Sequence, residues 1–288
     1  MATVKHFIQI FFDEDREDYQ VSRKWVENRW NFFIFFTYNS LRRQTRWGEF
    51  EILLLCGQKH KEFTSKLELP EHVRIVYDRG HEVYQENANG PWFRHNDPWE
   101  RYVAITRIDS DDLMAPDAMA EVMDVTRKSL NKTGRACLIF RKNLQWNIHN
   151  EFVGPHYRQA PPFVTHIFPA ALILLDWKRF LEEHYVQHGN AGGRNPNTIE
   201  LGKHKILVVK HTANISVLKR KGKVPFLTEA QKISLIADDD RIQIDLDRVR
   251  KALEPFVVDF LDANQQRIRL DIEFGFWTRE AEGVEWNQ

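Results

Sequence analysis

An α/β domain, its sheet covered by helices on both faces, is the fold class the sequence predicts. Short runs rich in β-branched and aromatic residues recur at 7–12, 50–55, 73–77 and 102–106, separated by spacers long enough for helices. The run 50–55 is continuously apolar, as strands buried inside a parallel sheet are. Acidic residues follow the runs, at Asp13, Asp78 and Asp109 to Asp112. Polar chemistry therefore collects at the carboxyl ends of strands, where open α/β sheets place their ligands.

Taken in order, residues 7–12 form the first strand and Asp13-Glu14-Asp15 the polar loop that ends it. Trp30, Phe33, Ile34, Thr37 and Leu41 recur at helical spacing, which predicts a long helix over 25–44, although five apolar residues in a row also permit a strand. Strands at 50–55 and 73–77 follow, and 86–97, with Gly90-Pro91, reads as a loop. The strand 102–106 runs into Arg107-Ile108-Asp109-Ser110-Asp111-Asp112, after which Pro116 and Asp117 open a helix carrying Met119, Val122 and Met123. Residues 136–140 and 143–148 read as strands able to pair as a hairpin, 154–162 as a loop, and 168–175 as an apolar strand-like run. Asp176 caps a helix through Phe180 to His184, residues 189–197 are the most loop-like segment, and 205–209 is a last strand. From about residue 228 the chain turns helical and charged, with Val249, Leu253, Phe256, Val257 and Phe260 in one stripe and a break at Pro255. Residues 1–220 are expected to form the main domain and 221–288 a mainly helical extension packed on it.

The 41 basic and 41 acidic residues among 288 cancel, so no electrostatic footprint for nucleic acid is visible. Cys56 and Cys137, the only two cysteines, sit in apolar runs and predict core packing in a reducing compartment rather than a disulfide framework. The sequence shows neither a leader-like segment nor a run of about twenty apolar residues, so a cytoplasmic protein is expected. The run Phe32 to Phe36 is too short to span a bilayer; it predicts a buried helix, with peripheral membrane contact as the alternative. Nine Trp and twenty Phe suit aromatic-lined clefts as well as a core, and Trp92, Phe93, Trp99 and Trp146 are candidates for stacking on a ring or for core packing.

Three carboxylates within four positions, at Asp109, Asp111 and Asp112, offer hard oxygen ligands of the kind that hold Mg²⁺ or Mn²⁺ while leaving positions open for phosphate oxygens. An acidic turn that merely caps the following helix is the plain alternative. Arg107 presents a fixed fork of donors suited to a diphosphate, or to a neighbouring acid.

Three stretches resemble one superfamily. Asn39-Ser40-Leu41-Arg42-Arg43-Gln44-Thr45 before Phe50-Glu51-Ile52-Leu53-Leu54 resembles the helix-to-strand passage of GT-A glycosyltransferases. Thr106-Arg107-Ile108-Asp109-Ser110-Asp111-Asp112 resembles the acidic motif of its rhamnosyltransferase-like members, and Val209-Lys210-His211-Thr212-Ala213-Asn214-Ile215-Ser216 is similar to a late segment of the same group. Order and rough spacing agree over about residues 4–217.

The resemblance implies a GT-A type, Rossmann-like mixed sheet flanked by helices, and a metal-dependent transfer of rhamnose or another hexose from a nucleotide-sugar donor to a glycan or other hydroxyl acceptor. It implies Asp111 as the main ligand of Mn²⁺ or Mg²⁺, Asp109 facing the metal or the nucleotide ribose, His211 as a further ligand of the metal or the diphosphate, and Asp112 beside the metal or in contact with the sugar. Leu55-Cys56-Gly57 stands where many relatives carry a base-recognising Asp, which leaves Asp13, Arg16 and Asp78 for the nucleotide. If the transfer inverts the anomeric centre, a side chain must accept the proton of the acceptor hydroxyl; Glu182, Glu183, His188 and Glu200 are eligible, with Glu183 preferred because its helix precedes the loop 189–197. A nucleotidyltransferase or phosphohydrolase would use the same acids, though no Gly-rich phosphate loop is present. A non-catalytic nucleotide-sugar-binding module is the third reading.

Overall fold

The computed structural model describes residues 3–13, 26, 29–30, 32–77, 80–90, 99–133, 136–147, 152–157, 163–184 and 198–210. Eleven strands occur among them. β1 (Thr3–Asp13), β2 (Phe50–Cys56), β3 (Val73–Val76) and β4 (Arg101–Asp109) are followed by β5 (Leu113–Met114), β6 (Cys137–Ile139), β7 (Lys142–Asn147) and β8 (Phe152–Tyr157). β9 (Val164–Pro169), β10 (Thr198–Glu200) and β11 (Ile206–Lys210) complete the set. The helices are a π-helix (Phe33–Tyr38), α1 (Asn39–Leu41), α2 (Lys61–Thr64), α3 (His81–Ala88), α4 (Ala118–Thr133), α5 (Ala170–Leu175) and α6 (Trp177–His184).

A seven-stranded sheet has the order β10-β6-β9-β4-β1-β2-β3. β1 pairs in parallel with β2 and β4, and β2 with β3, while β9 runs antiparallel to both β4 and β6. The predicted mixed α/β fold is therefore present. Alternation along the strands sends residues to two separate cores. Ile8, Ile10, Ile52, Leu54, Ala104 and Ile108 pack with Phe33, Leu41, Met119 and Val122 on one face. Phe7, Leu53, Leu55, Val103 and Ile105 pack with Tyr84, Ile173 and Phe180 on the other. A doubly covered sheet is why β2 reads as one apolar run.

β1 continues into β2 on one side, whereas β4 lies on the other side of β1, so the strand order reverses between β1 and β4. Phe11 stands opposite Asp109 across that junction. In doubly wound sheets such a switch point opens a crevice at the carboxyl ends of the strands.

The structure revises five local expectations. β6 and β7 do not form a hairpin: β6 joins the large sheet, and β7 pairs with β8 and β11 in a second sheet ordered β5-β11-β7-β8. The change of sheet is marked by the Asn143 Nδ2, which donates to the Phe140 carbonyl at 2.7 Å. Residues 154–157, expected in a loop, belong to β8; Gly154 and Pro155 are tolerated there because β8 is the outermost strand of its sheet among the described residues. Residues 86–88 continue α3, and 170–175 form α5 after β9 ends at Pro169. The helix expected over 25–44 is helical at its described residues up to Leu41, but winds as a π-helix from Phe33 to Tyr38. Asp176 does cap α6, accepting the Arg179 amide at 3.1 Å. The extension 221–288 lies outside the described residues. Among the described residues, no helix is long and apolar enough to cross a membrane.

Candidate active site

β4 delivers the acidic stretch to the carboxyl edge of the sheet, and the chain turns at once: the Asp112 amide donates to the Asp109 carbonyl at 3.2 Å, closing a tight turn. Asp109 is half-buried, while Ser110, Asp111 and Asp112 are buried. One carboxylate oxygen from each of Asp109, Asp111 and Asp112 lies within 4.8 Å of the others. Uncompensated carboxylates do not bury together, so the partners that hold them matter.

Asp111 is held by Arg29, whose Nη1 donates to Oδ2 at 2.7 Å and whose Nη2 donates to Oδ1 at 3.3 Å. Asp112 Oδ1 accepts the Val209 amide at 2.8 Å, which ties the turn to β11. The Asp109 carbonyl also receives a long contact from the Thr37 hydroxyl of the π-helix, at 3.5 Å. The Ser110 hydroxyl, fully buried inside the turn, makes no hydrogen bond among the described residues.

The segment leaving the turn is clamped by the helix-to-strand passage. The Met114 amide donates to the Ser40 hydroxyl at 3.1 Å. Gln44 Nε2 donates to the carbonyls of Ala115 at 2.8 Å and Met114 at 3.4 Å, and its Oε1 accepts the Met119 amide at 2.9 Å in the first turn of α4. The Thr45 amide reaches the Pro116 carbonyl at 2.8 Å. Across the turn's exit, Lys205 pairs with Asp117, and the Gly202 amide donates to Glu121 Oε1 at 2.6 Å. Three sequence motifs 60 or more residues apart therefore meet around one turn: Ser40 and Gln44, Asp109 to Asp112, and Val209.

Arg107, two residues before Asp109 on β4, is buried with its guanidinium 4.3 Å over the Phe11 ring. Its charge and, more strongly, burial push the nearby His166 down to about 3, so that imidazole is neutral. Asp13 ends β1 with its Cα opposite Cys56, at the same carboxyl edge; its side chain lies outside the described residues. Arg16, Asp78 and His211 lie wholly outside them, as do Trp92, Phe93 and His188. Glu183 belongs to α6, its side chain again outside the description. Glu182 and Glu200 are exposed, as is Trp99, whereas Trp146 is buried edge-on against Phe36 at 5.8 Å.

No protein-family model and no curated protein sequence matches the chain. Among solved structures, S. aureus TarS is similar over 98% of this chain and 46% of its own, at 11% identity and a TM-score of 0.35. The chain thus spans less than half the length of TarS. A cytidylyltransferase from Leptospira borgpetersenii serovar Hardjo-bovis is similar over 85% of this chain and 100% of its own, at 12% identity and a TM-score of 0.31. Rv0371C from Mycobacterium tuberculosis, in complex with manganese, is similar over 73% and 91%, at 14% identity and a TM-score of 0.27. Likeness at this level carries no function across.

Arg29 is the member of this site that periodicity reveals only in retrospect. It falls three residues after Val26 and four before Phe33, on the core-facing stripe of its helix. A charged residue on an apolar stripe signals a buried partner of opposite charge, here Asp111.

Proposed function

We propose that the chain is a metal-dependent glycosyltransferase, moving rhamnose or another hexose from a nucleotide-sugar donor to a glycan or other hydroxyl acceptor. The supporting observation is the convergence of Asp109, Asp111 and Asp112 within 4.8 Å at the strand-order reversal between β1 and β4. The donor set fits a hard divalent ion: three carboxylates, with a buried hydroxyl in the same turn that makes no hydrogen bond among the described residues. Asp109 and Asp111 would hold Mn²⁺ or Mg²⁺, with His211 as a further ligand. When bound, that ion supplies positive charge against the diphosphate leaving group without any proton transfer.

The chain's own residues divide the remaining work. Asp112, anchored on the Val209 amide, and Gln44, anchored on both sides of the turn's exit, keep the carboxylates in register with β4. Arg107 adds a fixed positive charge on the strand that delivers them. Asp13, Arg16 and Asp78 are assigned to the nucleotide, and Glu183 to accepting the proton of the attacking hydroxyl.

A thermal-shift panel of UDP-, GDP-, CMP- and dTDP-sugars, with and without Mn²⁺, tests the reading. A donor that binds only the folded chain raises its melting temperature. The expected result is stabilisation by one nucleotide class, dependent on Mn²⁺ and lost in Asp109→Asn, together with release of the nucleoside diphosphate when an acceptor is supplied. Stabilisation by no nucleotide, or stabilisation indifferent to Asp109→Asn, would sink it. Release of pyrophosphate from a nucleoside triphosphate would assign the same acids to nucleotidyl transfer, and binding without turnover to a non-catalytic module.

A further inference from the structure

Arg29 is a cation already seated on a proposed cation ligand. Its two terminal nitrogens address the two oxygens of Asp111, at 2.7 and 3.3 Å, so the contact is a guanidinium fork on a carboxylate. The two side chains retain only 5% and 2% of their exposure. Neither charge can be relieved by water, and each holds the other in place. The same Asp111 carboxylate contributes to the cluster with Asp109 and Asp112.

Arg29 thereby places a positive charge directly on one carboxylate of the cluster. A guanidinium on Asp111 also repels any second cation drawn to that carboxylate, and at such burial the repulsion is weakly screened.

We propose that Arg29 is a resident counter-cation of Asp111, holding that carboxylate in the absence of a divalent ion and competing with the ion for it, so that Arg29 lowers the affinity of the site. This rests on the cation site of the proposed function but not on sugar transfer. Arg29 is in this sense a positioning residue: it acts on the ion through Asp111 and touches no substrate.

Calorimetric titration of the full chain with MnCl₂ alone tests the competition. Arg29→Gln is expected to melt lower than the native chain without Mn²⁺ and to bind Mn²⁺ about tenfold more tightly. Arg29→Lys, which keeps the charge, is expected to stay within about threefold of native affinity. In an Asp111→Asn background, Arg29→Gln should change the Mn²⁺ affinity by less than about threefold, because the contested carboxylate is gone. Unchanged or weaker Mn²⁺ binding by Arg29→Gln overturns the proposal, as does equal tightening with and without Asp111. If Arg29→Gln does not fold alone, refolding on addition of Mn²⁺ supports competition, and failure to refold at saturating Mn²⁺ overturns it. Tightened Mn²⁺ binding alongside indifference to every nucleotide sugar would sink the transfer reading and leave this one standing.

Discussion

Burying Asp111 to 2% exposure requires a cation against it, and Arg29 supplies a complete fork. Removing one partner leaves the other charged and dry. Asp111→Ala is therefore expected to cost about 3–5 kcal/mol in urea unfolding, and restoring neutrality with Arg29→Met beside it should recover much of that loss. Recovery of nothing by the second change would show that the pair does not carry the effect. The clustering of the three acids was legible in the sequence because carboxylates at the end of a strand announce themselves by type and spacing. Arg29 was not, because its partner lies 82 positions away. Its place on an apolar stripe gave the signal that a charge was buried there, without saying against what.

Among elements, the passage from α1 to β2 gains a physical role. Gln44 lies behind the acidic turn, donating to Met114 and Ala115 and accepting from Met119, so one side chain joins the turn's exit to the start of α4. Gln44→Ala strands those backbone groups in a buried place and is expected to cost about 1–3 kcal/mol, read as a lower urea midpoint, with weaker Mn²⁺ binding because the turn loses its rear support. Native Mn²⁺ affinity in a destabilised Gln44→Ala would confine the residue to stability. At the other end of the clamp, a Cβ on Gly202 would lie 2.9 Å from Glu121 Oε2. Gly202→Ala should displace that carboxylate and forfeit its bond to the Gly202 amide, a loss of about 1 kcal/mol measurable in the same way. The strands β1 to β4 were predictable from period and residue type. The fate of β6 to β8 was not, since a short apolar run does not encode which of two sheets it joins.

Over the whole molecule, two deeply placed histidines govern behaviour in acid. Burial above all, with Arg127 and then Lys5 adding to it for His6 and Arg107 for His166, pushes both imidazoles down to about 3. Unfolded histidine titrates near 6.5, so between about 6.5 and 3 the unfolded chain binds more protons, and stability falls as pH falls through that window. Each histidine contributes a slope of up to about 1.4 kcal/mol per pH unit; urea midpoints taken from pH 7 to 4 should decline, and decline less steeply in His6→Gln. A slope untouched by that change would mean that His6 does not remain neutral in the fold. Cys56 and Cys137 are both buried, and burial pushes the Cys137 thiol up to about 12. Neither thiol should react with a disulfide reagent near neutral pH until the chain unfolds, when both should titrate. Composition and periodicity by themselves determined the α/β class, the first four strands of the large sheet and the acidic turn at the end of the fourth, because alternation, β-branching and clustered carboxylates are local properties. Only the tertiary structure decided that Ser40, Gln44 and Val209 close on that turn and that Arg29 sits on Asp111. Those contacts join residues 74 to 97 positions apart, and the energy that selects them is the cost of burying polar groups unpaired, which no local pattern can express.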